Sequence, residues 1–354
     1  MTYGQNPTGE LALTNLTFVA YIISFRHPGM VSLCGGAIAE HLKYLRESGE
    51  RTVSFKNWQK YSIERLYGQI NRCTIFRRMF DSLCDKKART AMQLYRSHFA
   101  GFLEDVEISF EDEALADYLT SEGVLLRPVA AEQTYRATSP LIDALLRLRV
   151  IPSQFRDKPL VDIRETDPGI PDIPFVLEQS LKCFDKELIR LAFSCSYKLS
   201  KVGVNGSPRT RVPRESVYDT ELMRILCNWL LGAGWSITGQ WHMTTNDGKH
   251  KYSDIVMQRK NHAPVVLGLL ATGDAKFVKE HIKKTPEYMA LVSAVEGWVI
   301  HFTCEDSFTP TWQTSAELVC GVNIIHVSHK EDFTNIKFHI YSHGVEKREF
   351  ELQI

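Results

Sequence analysis

The order of patterns between Glu215 and Cys304 most restricts the folds open to this chain. "ESVYDTELMRILCNWLLGAG" has helical periodicity and ends at glycines, and three strand-like stretches follow, "WSITGQWH", "YSDIVMQR" and "APVVLGLLA". A second helix, "DAKFVKEHIKK", and a further strand, "GWVIHFTC", come next. The connection "KNHA" is too short for a crossover helix, so the strand with Asp254 should lie antiparallel to the strand with Gly268. These constraints predict one compact α/β unit over 213–354.

Asp254 and Gly268 are the two unusual residues of the predicted core strands. Asp254 precedes "IVM" in a strand that we expect to be buried on both faces, where an unpaired charge is costly. Gly268 interrupts the apolar run "VVLGLLA", and a glycine within a strand is typical of a bulge or of a close backbone approach. An aspartate at a strand end needs no special role, but the burial expected here favours Asp254 as a site residue.

Helix, three-strand meander, helix and strand is the core order of the restriction-endonuclease-like, PD-(D/E)XK fold. That fold places one acid on the second strand, and on the third strand an acid two residues before a lysine. The carboxylates hold Mg²⁺, which polarises the scissile phosphate and activates water, and the lysine stabilises developing negative charge. In this sequence Glu221 and Asp254 match the acids, but Gly268 and Leu270 occupy the positions of the strand acid and of the lysine.

The residues that could complete such a site come from the helix after the third strand. Asp274 is the one nearby carboxylate that could stand in for the missing acid, and Lys276, Lys279 or Lys284 could replace the lysine, near Glu280 and His281. The predicted Mg²⁺ ligands are Glu221, Asp254 and Asp274, and the predicted catalytic residues are Glu221, Asp254, Lys279, His281 and Lys284. We expect weak or absent cleavage, because two acids position a metal ion loosely.

Residues 1–150 are predicted to form a helical and winged-helix-like domain. Helical periodicity marks "GGAIAEHLKYLRESG", "NWQKYSIERLYGQI" and "ARTAMQLYRSHFAGFL", and then a strand, a short helix and a hairpin follow. The short helix, "EDEALADYLTSEG", carries acids and no basic residue, so phosphates would repel it. We interpret this module as a contact for a partner protein or an NTPase module.

A proline-rich stretch divides the chain into parts. The prolines of "VIPSQFRDKPLVDIRETDPGIPDIP" argue against a regular element. We therefore predict a connector with a helix and a basic arm over 151–212, and a nuclease-like mixed-sheet domain over 213–354. The fold class is α+β or α/β.

The basic arm is "KLSKVGVNGSPRTRVPRES", which has no acid between Lys198 and Arg214. It is either a solvated linker or a phosphate-contacting arm beside an active cleft. In the second case its nucleic-acid contacts are Lys201, Arg209, Arg211 and Arg214.

Composition excludes several other classes of protein. Lys plus Arg and Asp plus Glu both number 42, so no whole-chain charge attracts nucleic acid or an anionic membrane. The eight cysteines form no CxxC pair and indicate reduced, buried thiols in an intracellular protein. The apolar run "LALTNLTFVAYIIS" lacks signal-peptide flanks and is too short to span a bilayer.

Several long blocks resemble the C-terminal region of Crinkler-type proteins, which pair an NTPase with a PD-(D/E)XK nuclease-like domain. They include "PRESVYDTELMRILCNWL", "KYSDIVM" and "LLATGDAKFVKEHIKKTPEYMALVSA". The resemblance implies that Glu221, Asp254, His281 and Lys284 correspond to family site residues, with an acid where this chain has Gly268. It also implies Mg²⁺, DNA and a nuclear setting, in the host if the chain is an effector. The chain has no GxxxxGK[ST] loop, so it lacks the motif of a P-loop NTPase.

Three functions stay open at this stage. The chain is a Mg²⁺-dependent DNA endonuclease, or a non-cleaving relative that binds nucleic acid or a protein partner, or a structural module that once served an attached NTPase. A cleft with several acids would favour the endonuclease. A cleft with fewer acids beside the basic arm would favour the non-cleaving relative, and a cleft filled by side chains would favour the structural module.

Overall fold

The fold is mixed α+β, and a seven-stranded mixed sheet lies in its C-terminal half. The computed structural model describes residues 73–128, 133–167, 169–244, 250–308, 310, 321–342 and 347–354, and also Gly36, Ala39, Glu40, Lys43 and Ile70. For residues 167, 240–244, 250–254 and 291 the description covers the backbone alone, so the side chain of Asp254 lies outside it. The helices predicted over 35–49 and 57–70 and the N-terminal apolar run lie outside it, apart from those single positions. No described helix is both long and apolar enough to cross a membrane.

Two compact units divide the chain. The first contains Phe102–Leu146 and the described residues up to Leu94, and the second contains Tyr95–Gly101 and Arg147–Ile354. The division at Leu146 lies just before the predicted proline-rich connector, but the assignment of Tyr95–Gly101 to the second unit has no counterpart in the sequence prediction.

The first unit contains helices packed with a small antiparallel sheet of order β1-β3-β2. Its elements are α1 (Thr74–Cys84), α2 (Arg89–Leu94), β1 (Val106–Glu107), α3 (Glu113–Ser121), β2 (Leu125–Leu126), β3 (Thr134–Ala137) and α4 (Pro140–Leu145). The acids of α3 contact partners inside the unit, since Arg127 pairs with Glu113 at 2.9 Å and the Tyr135 hydroxyl donates to Asp117 at 2.7 Å.

The second unit is built on the large sheet, whose order is β12-β11-β10-β9-β8-β7-β6. Its elements after a π-helical turn at Tyr95–Phe99 are α5 (Ile151–Gln154), β4 (Glu165–Asp167), β5 (Ile170–Pro171), α6 (Ile173–Leu181), α7 (Lys186–Cys195), α8 (Glu215–Leu230), β6 (Trp235–Thr244), β7 (His250–Arg259), β8 (Val265–Leu270), α9 (Ala275–Val292), β9 (Glu296–Thr303), β10 (Val322–Ser328), β11 (Asn335–Ser342) and β12 (Arg348–Gln353). β8, β9 and β10 are parallel neighbours, and the other neighbouring pairs are antiparallel.

The two faces of this sheet pack against different helices, because successive side chains of a strand point to opposite faces. Leu267, Ile300 and Phe302 belong to the main core together with buried residues of α6, α7 and α8. On the opposite face, Leu270 and Val299 pack with Val278 of α9. The sheet is therefore covered on both sides in its centre.

Three features differ from the sequence prediction. The sequence around Thr285 and Pro286 predicts the start of a separate helix, "PEYMALVSA", but α9 continues through that proline, packed on β8 and β9. The connector forms the short pair β4 and β5, although we expected no regular element there. β12 was not predicted at all, and it pairs with β11 at the edge of the sheet.

Candidate functional site

The strands that carry Asp254 and Gly268 are adjacent and antiparallel, which confirms the prediction from the short "KNHA" turn. Ile255 pairs with Leu267, so Asp254 and Gly268 are the next backbone positions in this register. Gly268 also pairs with Val299 of β9. Continuing this register by one residue therefore brings the backbone of Asp254 opposite that of Gly268 on the neighbouring strand.

Glu221 is fully buried in α8, and its carboxylate belongs to an ion-pair network. Arg96 Nε and Nη2 donate to Oε1 at 2.9 and 2.5 Å, and Arg224 Nη2 donates to Oε2 at 2.9 Å. The backbone N–H of Asp185 also donates to Oε2 at 2.9 Å. Burial raises the pKa of Glu221, but the charges of Arg96 and Arg224 outweigh burial and hold that pKa below its usual value.

This network gives Glu221 a structural role, and its predicted catalytic and metal-binding role stays a prediction. Both carboxylate oxygens already accept hydrogen bonds from groups inside the protein. Binding Mg²⁺ would take these oxygens from two buried arginines. Arg96 would keep its ion pair with Asp185 at 3.0 Å, and Arg224 its longer one with Asp157 at 3.8 Å. The sequence did not indicate the contact between Arg96 and Glu221, because the two residues are distant along the chain.

The other predicted site residues lie on α9 or at its start. Asp274 caps α9, since its carboxylate accepts from the backbone N–H of Phe277 at 2.8 Å. Lys279 is exposed, and His281 and Lys284 are half-buried. His281 Nδ1 lies 2.9 Å from the Phe277 carbonyl oxygen, which fixes Nδ1 as the protonated nitrogen, and burial lowers the pKa of this histidine.

The described side chains do not fit the Mg²⁺ ion implied by the PD-(D/E)XK fold. Glu221 is held by arginines, Asp274 is a helix cap, and Gly268 has no donor atom. Among the described residues, no group of three or more His, Cys, Asp or Glu side chains could hold a metal ion.

The basic arm is an ordered hairpin, although its sequence predicted a loop. Its two sides are joined by bridges between Leu199 and Arg211 and between Val204 and Ser207. At the turn, the Asp306 carboxylate accepts from the backbone N–H groups of Asn205 at 2.9 Å and Gly206 at 2.8 Å. These contacts hold the hairpin beside the loop that follows β9.

The four predicted nucleic-acid contacts of the arm have different surroundings. Lys201 and Arg209 are exposed, and neither forms an ion pair with a described residue. Arg211 is exposed but donates to the Ser194 carbonyl at 2.8 Å, and Arg214 is half-buried and donates to the His98 carbonyl at 3.3 Å. Lys201 and Arg209 are therefore the two cations of this set best placed to meet a ligand.

Lys198 reaches the carboxyl end of β8 and interacts electrostatically with Glu215, which follows the hairpin residue Val212 that bonds to the Lys198 backbone. The sequence prediction missed both as site residues. Lys198 Nζ donates to the Ala271 carbonyl at 3.1 Å, just past that strand. Burial lowers the pKa of Lys198, and Glu215 opposes this shift. Burial raises the pKa of Glu215 to about 7, against the opposing charge of Lys198. The signal in the sequence was the acid at the first position of the long helix, directly after the basic arm.

Comparison of the chain with protein-family models, with curated proteins and with solved structures gave no match.

Proposed function

We propose that this protein binds nucleic acid through a PD-(D/E)XK nuclease-like core that does not cleave, and that it is related to the C-terminal region of Crinkler-type proteins. The exposed pair Lys201 and Arg209 on the ordered hairpin is the observation that carries the binding proposal. A hairpin tied to Asp306 presents these charges with little loss of chain entropy on binding, and phosphate contacts depend on such cations.

The order of elements supports the nuclease-like part of the proposal. α8 precedes the antiparallel meander β6-β7-β8, then α9 crosses to β9, which is parallel to β8. The commitment of Glu221 to Arg96 and Arg224 favours the non-cleaving form over the Mg²⁺-dependent DNA endonuclease. Within the same proposal, the first unit is winged-helix-like and contacts a partner protein or NTPase module, in a nuclear setting.

A salt titration tests the binding proposal. The affinity for fluorescein-labelled duplex DNA, single-stranded DNA and RNA is measured by fluorescence anisotropy as salt is raised. The double variant Lys201→Ala/Arg209→Ala should bind more weakly, and its salt slope should fall by about two, because each lost phosphate contact releases roughly one counterion fewer. The matched control is Lys337→Ala/Arg348→Ala, which removes two exposed cations at the β11–β12 edge of the sheet.

Two results would contradict the proposal. If the arm variant and the control have the same salt slope as the native protein, the hairpin is a solvated connection. If the native protein cuts supercoiled or linear DNA with Mg²⁺ or Mn²⁺, and Asp254→Ala stops the cutting, the protein is an endonuclease. Cutting that survives Asp254→Ala would instead come from a contaminating nuclease.

A further inference from the structure

We propose that Lys198 and Glu215 together bind one phosphodiester group of the nucleic acid, with both side chains donating hydrogen bonds to it. The inference rests on the proposed function and specifies where the ligand's backbone contacts the protein. It also assigns to Lys198, at the base of the arm, the positive charge that the lysine of the PD-(D/E)XK motif would supply.

The position of Lys198 supports this assignment. Its Nζ donates to Ala271, the residue after Leu270, and Leu270 occupies the position of the motif lysine. An ammonium group has three donors, and this is the one hydrogen bond of the Lys198 side chain to a described residue. The side chain is half-buried, so its two remaining donors can reach a ligand, and the Phe277 ring, whose centroid lies 5.8 Å from Nζ, supports it on one side.

The position of Glu215 supplies the second donor. It is the first residue of α8, it is half-buried, and its carboxyl group has no hydrogen-bond partner among the described residues. With a pKa of about 7, the carboxyl is neutral in a large fraction of molecules near neutral pH. A neutral carboxyl donates one hydrogen bond to a phosphate oxygen, whereas an ionised one would repel it.

The charged and titratable groups around this pair define its pH response. Lys198 is influenced by Glu215, Cys304 and Lys201, and its charge in turn acts on His281 and His301. Glu215 is influenced by Lys198 and by Asp219, and Asp219 is paired with Arg147. The pKa values of His281 and His301 are lowered by burial, so neither ring competes with Lys198 as a cation near neutral pH.

The hairpin links this pair to the exposed cations of the arm. The backbone N–H of Val212 donates to the Lys198 carbonyl at 3.1 Å, which closes the base of the hairpin. Lys201 and Arg209 lie further along its two sides, so one nucleic-acid strand can place successive phosphates on the arm and at its base. A phosphodiester, which stays anionic across the neutral range, fits a site with one cation and one neutral donor.

The test measures DNA affinity by anisotropy between about pH 6 and pH 8. Native affinity should rise as pH falls, by at most about tenfold per pH unit above the pKa of Glu215, because binding is linked to uptake of one proton. Glu215→Gln should remove this pH dependence and bind at all pH values as tightly as the native protein does at low pH. Lys198→Met should bind more weakly throughout, and Lys198→Arg should recover part of the loss.

Lys201→Ala is the matched control, because it should weaken binding while the pH dependence stays. If Glu215→Gln keeps the native pH dependence, or Lys198→Met binds as tightly as the native protein, the inference is overturned and the proposed function stands. If no variant and no pH gives DNA or RNA binding, the proposed function fails. In that case the thermal unfolding temperature is measured with and without inorganic phosphate. If phosphate stabilises the native protein but not the Lys198→Met or Glu215→Gln variant, the phosphate site is supported. If phosphate does not stabilise the native protein, the inference is overturned.

Discussion

Arg96 and Glu221 lie 125 residues apart in the sequence, yet Arg96 Nε donates to Glu221 Oε1 at 2.9 Å in a buried contact. Arg224 and the backbone of Asp185 complete the shell around the same carboxylate. This contact joins the π-helical turn Tyr95–Phe99 to the central helix of the second unit, and it takes the acid that the nuclease motif would use for a metal.

Breaking the Arg96–Glu221 pair should destabilise the protein strongly. Arg96→Met or Glu221→Gln should lower the free energy of unfolding in urea by up to about 3–5 kcal/mol, because each removes one member of a buried ion-pair network. Glu221 keeps its contact with Arg224 in the first variant, and Arg96 keeps its ion pair with Asp185 in the second. Glu178→Gln is the control, since Glu178 pairs with Lys182 at a half-exposed site and should change stability by less than about 0.5 kcal/mol. Unchanged stability of Glu221→Gln together with weaker Mg²⁺ binding would show that Glu221 is a metal ligand instead.

Removing the Asp306 carboxylate should loosen the hairpin turn. In Asp306→Ala the amide hydrogens of Asn205 and Gly206 should exchange about tenfold faster or more, because each loses a charge-assisted hydrogen bond. Asp306→Asn keeps an acceptor and should show a smaller change. Equal exchange in the native protein and Asp306→Ala, measured by NMR, would mean that other contacts order the turn.

Restoring an acid at position 268 should favour metal binding. Gly268→Glu places a carboxylate beside the backbone position of Asp254, so Mg²⁺ affinity measured by calorimetry should rise, and DNA cleavage, absent from the native protein in our proposal, should appear. Adding Asp254→Ala should remove both gains, because the two acids would share one ion. If the native protein cuts well and Gly268→Glu abolishes cutting without unfolding, Gly268 is not a lost ligand.

Acidification should destabilise the protein through its buried histidines. Burial, then the charges of Lys198 and His281, lower the pKa of His301 to about 3, and its Nδ1 lies 3.0 Å from Nδ1 of His326. In the unfolded chain His301 takes up its proton near pH 6.5. Its contribution to the free energy of unfolding is therefore fully present above that pH, and it is lost as the pH falls toward the folded-state pKa.

Protonation of His301 should lower the free energy of unfolding by about 2 kcal/mol between pH 6.5 and pH 5. This decrease should be absent from the His301→Gln variant. The free energy of unfolding in urea at several pH values measures the slope. Tyr341→Phe, which removes the hydroxyl that donates to the Pro310 carbonyl, should reduce stability without changing the pH slope. A native slope that persists in His301→Gln would assign the effect to other groups.

The sheet was predictable because its signals are local. Apolar runs of strand length and the short connection after Arg259 restrict β7 and β8 to antiparallel neighbours, and no distant contact is needed to reach that conclusion. β12 escaped prediction because four of its six side chains are exposed at the sheet edge, three of them charged, so the apolar alternation is weak.

The candidate site was less predictable, because it depends on which face of α8 meets which distant partner. Glu215 and Glu221 are both acids of one helix, and at about 100° per residue they point in different directions. Sequence spacing alone does not reveal that Arg96 neutralises Glu221 or that Lys198 approaches Glu215. Glu221, the acid that matches the motif, is held by arginines, and Glu215, the acid overlooked in the sequence, interacts electrostatically with Lys198.

The membership of Tyr95–Gly101 in the second unit has a practical consequence for dissecting this protein. A fragment cut at the apparent boundary, beginning at Arg147, would keep the whole large sheet but lose Arg96. Such a fragment would enclose Glu221 with one arginine fewer, and it should fold poorly or aggregate when produced alone. Supplying residues 95–101 as a separate peptide should restore its folding, because the second unit is discontinuous in sequence.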